Sequence, residues 1–236
     1  MMDLLKSEYL KFFYNRWLQL TFFSTVVLVP FLIVYLHETP SEVTKNYVLS
    51  QILESLYLGQ SGFIIITILF LGQEFNSSTL RSSFLASPNR KKFIFAKLFV
   101  LLSVLLLMWC LITLSSTIVI QTFYRIVISR IILWYIFKII IVSITLIIVC
   151  SGLVLLTKSV VFSIGLSLLF LLGLGQMMLQ FSRIFLYFPI LSTMNAFLVS
   201  ENIPYLTLME GIMIQLIWGV ILLFFSIFLL ERKSIR

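Results

Sequence analysis

Residues Ile132–Leu156 read ILWYIFKIIIVSITLIIVCSGLVLL, Thr157-Lys158 follow, and Ser159–Met178 read SVVFSIGLSLLFLLGLGQMM. The two runs are 25 and 20 residues long. At about 1.5 Å of rise per residue, each suffices as a helix to cross a hydrocarbon core about 30 Å thick. Apolar residues continue without alternation, which fits helices and excludes the strands of a barrel. Two linking residues leave room only for a tight antiparallel hairpin. Lys138, about two turns into the first run, is expected to snorkel towards the outer interface rather than to serve transport.

Four further runs extend this pattern: Trp17–Leu36, Tyr57–Gln73, Phe93–Ile120 and Gly211–Leu230. Charged residues make up 11% of the 236-residue chain, against about 25% in soluble domains, so polar surface is too scarce to face water all round. An all-α polytopic membrane protein of six transmembrane helices in one domain, residues 1–236, is therefore expected. Before the first run, Lys6, Lys11 and Arg16 alternate with Leu4, Leu5, Tyr9, Leu10, Phe12 and Phe13, the pattern of an amphipathic helix lying in the interface. The first run is too long for a signal-peptide core and is expected to be retained. His37 to about Leu56 reads as a polar stretch, and Phe93–Ile120 is long enough to overshoot the hydrocarbon, with Lys97 at its start snorkelling to the surface. Leu179–Glu210, with Pro189 and Pro204, contains no span of 20 apolar residues.

The net charge of +8 is spread between apolar runs rather than gathered in one patch, which argues against nucleic acid as a partner. With the N-terminus inside, inner segments hold twelve cations and outer segments five, so the positive-inside rule places both termini in the cytoplasm. Cys110 and Cys150 lie deep in apolar runs and read as buried, unpaired small hydrophobes.

Catalytic and cofactor motifs are missing. No glycine-rich nucleotide loop occurs, so ATP has no site in this chain. The single histidine, His37, sits at a membrane boundary, and Asp3 is the only aspartate. No metal-ligand spacing and no Ser/His/Asp set can be assembled from these residues, so neither a catalytic nor a metal site is expected. Gln60, Gln176 and Gln215 either bridge helices or line a cavity, bridging being the commoner role. Ser163-x-Gly165-x-Ser167 and Gly173-x-Gly175 permit close helix approach, within the bundle or to a second subunit.

The loop Glu74–Lys92 is the most polar of the chain. Ser77 or Ser78 can cap a short helix through Thr79–Leu85, with Leu80 and Phe84 on one face and Pro88 ending it before Arg90-Lys91-Lys92. This is either a docking element or a surface helix whose cations hold the topology.

The residues Glu74-Phe75-(x)3-Thr79-Leu80-Arg81, then Pro88-x-Arg90 and Lys97-Leu98, resemble the region between the second and third helices of ABC-2-type transporter permeases. Ser78 stands where that family often has glycine. The opening Leu5-Lys-Ser-Glu8-Tyr-Leu-Lys11 resembles the family's interfacial helix, the Pro189 region its external re-entrant segment, and Phe228-Leu-Leu-Glu-Arg232-Lys-Ser its basic tail. The resemblance runs the length of the chain and is specific in Glu74–Lys97. It implies a bacterial plasma-membrane permease that pairs with a second permease, identical or not, and binds separate ATPase subunits. Glu74, Thr79, Leu80, Arg81, Phe84, Pro88 and Arg90 would form the coupling element, Glu8 and Lys11 would belong to the interfacial helix, and ATP would be bound only by the partner. Small permeases of this appearance often serve systems that expel lantibiotics, other antimicrobial peptides or hydrophobic toxins. The competing reading is a membrane-embedded immunity or scaffold protein that binds a partner without transport. An intramembrane enzyme is disfavoured by the lack of buried His, Asp and Glu in the reading above, and a passive channel by the lack of a polar stripe or charged ring.

Overall fold

Every long apolar run of the sequence is helical in the computed structural model, which describes residues 2–35, 45–76, 90–124, 130–199 and 205–232. A first helix, α1 (Met2–Tyr14), precedes α2 (Arg16–Tyr35), α3 (Lys45–Asn76), α4 (Arg90–Val119), α5 (Arg130–Thr157), α6 (Val160–Leu169) and α7 (Leu208–Arg232). A π turn, Ile120–Tyr124, prolongs α4, and another, Phe170–Leu174, carries α6 into Gly175–Leu179. No strand occurs among the described residues. Among the described residues, six segments are long and apolar enough to cross a membrane: Arg16–Tyr35, Asn46–Phe75, Lys92–Tyr124, Ile132–Thr157, Val160–Leu179 and Leu208–Leu229. The chain is an all-α, multi-pass membrane protein whose outer helix faces meet the lipid bilayer.

The hairpin expected at Thr157-Lys158 is formed by backbone chemistry. Lys158 takes a left-handed conformation (φ 55°) that stops α5, and the Ser159 hydroxyl accepts from the Phe162 amide to cap α6. The helix of the second span, by contrast, begins twelve residues before the expected Tyr57, at Lys45. Val48, Leu49, Ile52, Leu53 and Leu56 recur at helical spacing and are all buried, while Asn46 and Glu54 face outward. Average polarity hides this periodicity, so the stretch reads as a loop until its face is buried.

α3 and α5 occupy the middle of the bundle: the apolar stretch of α3 is 72% buried and that of α5 67%, against 17% for α7. α2, α5 and α6 pack on α3, α4 packs on α2, and α7 lies along α5. Phe63 of α3 stacks on Trp109 of α4 with centroids 5.2 Å apart. In lipid, apolar side chains gain little by leaving the bilayer for a neighbouring helix, so close backbone approach and hydrogen bonds hold the bundle. One close approach joins α5 to α7. A Cβ on Gly152 would stand 2.6 Å from Leu222 Cβ and 2.9 Å from the Leu223 amide nitrogen, and one on Gly219 would stand 2.8 Å from Ile148 Cγ2.

The small residues singled out on the fifth run divide. Ser163 and Ser167 face inward, Ser163 paired with the Thr157 hydroxyl at 2.8 Å. Gly165 meets nothing within 4 Å, and Gly173 (φ 131°) lies inside the π turn that interrupts the fifth span. Cys150 is buried as expected, but Cys110 is exposed on the outer face of α4. Between α6 and α7 the chain makes two 3-10 turns, Arg183–Tyr187 and Leu191–Phe197. The second is buried throughout, with Phe197 against Tyr57 at 5.2 Å and the Asn195 amide donating to Leu206 O at 2.7 Å. Non-helical backbone of this kind is tolerated in a membrane domain where protein covers it.

Candidate functional site

α1 is amphipathic in an unusual sense. Leu10, Phe13 and Tyr14 point outward, whereas Glu8 and Phe12 are buried. Glu8 is turned inward because its charge has partners there. Glu74, two residues from the end of α3, is 4% exposed, and Lys97, in the second turn of α4, is 3% exposed.

These residues and Lys11 close a ring of four charges. Lys11 Nζ lies 2.6 Å from Glu8 Oε1 and 3.1 Å from Glu74 Oε1. Lys97 Nζ lies 3.0 Å from the same Glu74 oxygen and 3.5 Å from Glu8 Oε2. The last contact is electrostatic only, since Glu8 Oε2 has no hydrogen-bond partner among the described residues. The Lys97 ammonium also donates to the Phe70 carbonyl at 3.4 Å and stands 5.0 Å and 5.5 Å from the Phe70 and Phe93 ring centroids. Two acids and two bases make the ring neutral.

Each member needs the others. A carboxylate in the last turn of a helix opposes the helix dipole, so Glu74 is unfavourable where it stands unless cations offset it. An isolated lysine under cover would lose several kcal/mol of hydration. Burial by itself lowers the Lys11 pKa, but hydrogen bonds and charge from Glu8 and Glu74 outweigh it and hold the ammonium above the ordinary 10.5. A raised folded-state pKa means that this pairing is complete below 10.5 and fades only as pH rises through the higher folded value. The melting-temperature difference between wild type and Lys11→Met is therefore expected to be equal at about pH 7 and about pH 9, where lysine is charged in both states. Thermal unfolding in detergent at both values checks this.

The ring corrects two sequence readings. Lys97 does not snorkel to the surface, and buried glutamates do exist. It also brings together three of the predicted site residues, Glu8, Lys11 and Glu74, from segments assigned to different roles. Nearby, the Asn15 amide at the α1–α2 turn donates to Gln73 Oε1 at 3.0 Å, a second tie to the end of α3. Arg90 opens α4. Thr79, Leu80, Arg81, Phe84 and Pro88, with the expected short helix, lie outside the described residues, as does His37.

A second polar group lies within the bundle. Gln60 and Ser143 exchange hydrogen bonds of 2.9 Å and 3.1 Å between α3 and α5, the bridging role expected for a glutamine. Gln60 also lines a cavity of about 10 Å³ with Tyr57, Thr193 and Gln215, room for about one water. Gln215 is fully buried, and neither of its amide atoms has a partner among the described residues. Gln176 is exposed. Lys138 is half-buried, its ammonium 4.9 Å from the Tyr135 centroid and 5.6 Å from that of Trp134.

Among the described residues no group of three His, Cys, Asp or Glu is placed to hold a metal ion. Compared with known proteins, the chain matches no family model, no curated protein and no solved structure.

Proposed function

We propose that this chain is the permease subunit of an ATP-driven bacterial exporter, carrying the translocation pathway and coupled through the loop Glu74–Lys92, by a short helix around Thr79–Leu85, to a separate ATPase. The observation that carries the reading is the buried charge ring. It fastens the helix entering that segment (Glu74) and the helix leaving it (Lys97) to the same N-terminal helix (Glu8 and Lys11). A push on the segment would then move α1, α3 and α4 together rather than bend one loop. Replacing a buried ion network by apolar residues is often neutral or stabilising, so as a hypothesis the ring contributes fixed position more than net stability.

The rest of the reading follows from the sequence. Both termini lie in the cytoplasm, by the distribution of cations. The chain has no nucleotide loop, so a partner must supply ATP hydrolysis. A second permease, a further copy or a different chain, completes the pathway. The substrates are hydrophobic or antimicrobial peptides or toxins, by resemblance of size and layout.

Leu80 and Phe84 are proposed to seat in a groove of the ATPase. Leu80→Asp or Phe84→Asp is expected to reduce recovery of the ATPase with the tagged chain at least about tenfold, since burying an unpaired carboxylate costs well over 1.4 kcal/mol. Membrane abundance and melting temperature should stay unchanged. Undiminished recovery with both variants would remove the coupling assignment and favour the immunity or scaffold reading.

A further inference from the structure

A second feature of the N-terminal region faces the bilayer. α1, α2 and α4 enclose a groove of about 510 Å³ that is open along one side. Its walls are almost wholly apolar: Phe13, Phe22, Phe23, Val104, Leu107 and Leu111 supply most of them. Phe13, Phe23 and Leu107 are each more than half exposed, so the groove lies on the outer surface of the bundle. From Ser103 to Leu111 it follows α4 for about 12 Å at 1.5 Å per residue.

Polar groups occur at one end only. There the Tyr9 and Ser103 hydroxyls pair, and the Gln19 amide donates to the Phe13 carbonyl. That end adjoins the α1–α2 turn, where Tyr14 and Trp17 are 83% and 72% exposed and Arg16 is exposed between them. Lys6 is exposed on α1. Exposed tyrosine and tryptophan beside cations mark the headgroup level of a bilayer, and cations there attract anionic lipid. The groove therefore starts at headgroup depth and runs into the hydrocarbon, the layout of a lipid with a charged head and a single seated chain.

We propose that this groove is a binding site for an anionic phospholipid, with an acyl chain along Phe22, Phe23, Val104 and Leu107 and the phosphate beside Arg16 and Trp17. The commitment to lipid rests on charge complementarity and on the aromatic–cationic collar at one mouth. A second copy of the chain or a hydrophobic peptide would have no need of that collar at headgroup level.

The test uses the purified full chain in nanodiscs containing a phospholipid with a photoreactive group on its acyl chain, offered with a phosphatidylglycerol or a phosphatidylcholine head. Labelling is expected to concentrate on α2 and α4 at Phe23, Leu107 and Leu111 and to be stronger with phosphatidylglycerol. Leu107→Trp, at an exposed position, should fill the groove and remove that labelling while labelling of α7 persists. Arg16→Gln should lower the preference for phosphatidylglycerol by about fivefold, the effect of one cation near an anionic surface. Labelling spread evenly over α2, α4 and α7, or unchanged by Leu107→Trp at an unaltered melting temperature, would overturn the proposal. So would efficient disulfide cross-linking between copies through Phe23→Cys, which would identify a second chain as the occupant.

Discussion

Replacing Lys97 with methionine is expected to destabilise the bundle by about 3–5 kcal/mol, the usual loss when one partner of a buried ion network is removed. Methionine keeps most of the unbranched stem that lies against Phe70 and Phe93, so charge rather than volume is what changes. Glu8 and Glu74 would then share only Lys11, whose side chain is 40% exposed, and one negative charge would remain under cover. The visible result is a lower melting temperature in detergent and less folded protein in the membrane. Adding Glu74→Gln restores neutrality, because Glu8 and Lys11 still pair, and is expected to return most of the lost stability. A Lys97→Met variant that melts like the wild type would mean that Lys97 is neither buried nor paired as described.

The second large effect is expected at the crossing of α5 and α7. Gly152→Ala places a methyl group 2.6 Å from Leu222 Cβ and 3.0 Å from the Leu222 carbonyl carbon. Both are fixed parts of a packed helix and cannot swing aside, so the helices must separate. Overpacking of this kind typically costs about 1–3 kcal/mol. Gly165→Ala is the matched control: the position is helical, and nothing lies within 4 Å of the added carbon. There alanine is expected to be neutral or to stabilise by up to about 1 kcal/mol through helix propensity. Equal melting temperatures for the two variants would contradict the crossing.

How much of this could be read from the sequence depends on the range of the interaction concerned. Spans are local, and uninterrupted apolar runs place all six, together with the hairpin at Thr157-Lys158. The start of α3 is missed because Ser50, Gln51 and Glu54 dilute the average hydropathy, although Val48, Leu49, Ile52, Leu53 and Leu56 already carry the helical period. The π turn in α6 is missed because Gly173 is one of several tolerable glycines until its backbone is seen. Gly152 and Gly219 are missed as a pair because a search for small residues within one helix cannot find a contact between two.

The charge ring is the clearest case. Taken alone, a lysine near the start of an apolar run reads as snorkelling, since a long flexible stem can always reach an interface. Its acid partners lie in α1 and α3, and nothing in the sequence states that these helices meet α4 at one level. A usable signal did exist. Glu8 and Glu74 are two of only nine acidic residues, and both adjoin apolar runs on the side already crowded with cations. A carboxylate carried into an apolar segment is costly unless it pairs. The resemblance to ABC-2-type permeases marked Glu8, Lys11 and Glu74 individually, while their convergence is a property of the fold.

The most direct test of the exporter reading is purification of the tagged chain from its own cells in mild detergent, with an ATP analogue to trap closed complexes and mass spectrometry of what accompanies it. Recovery of an ATPase subunit in stoichiometric amount, with one further permease copy or a different permease chain, is the expected result. Repeated recovery of the folded chain without any ATPase would contradict the exporter assignment and leave a membrane protein that acts by binding alone.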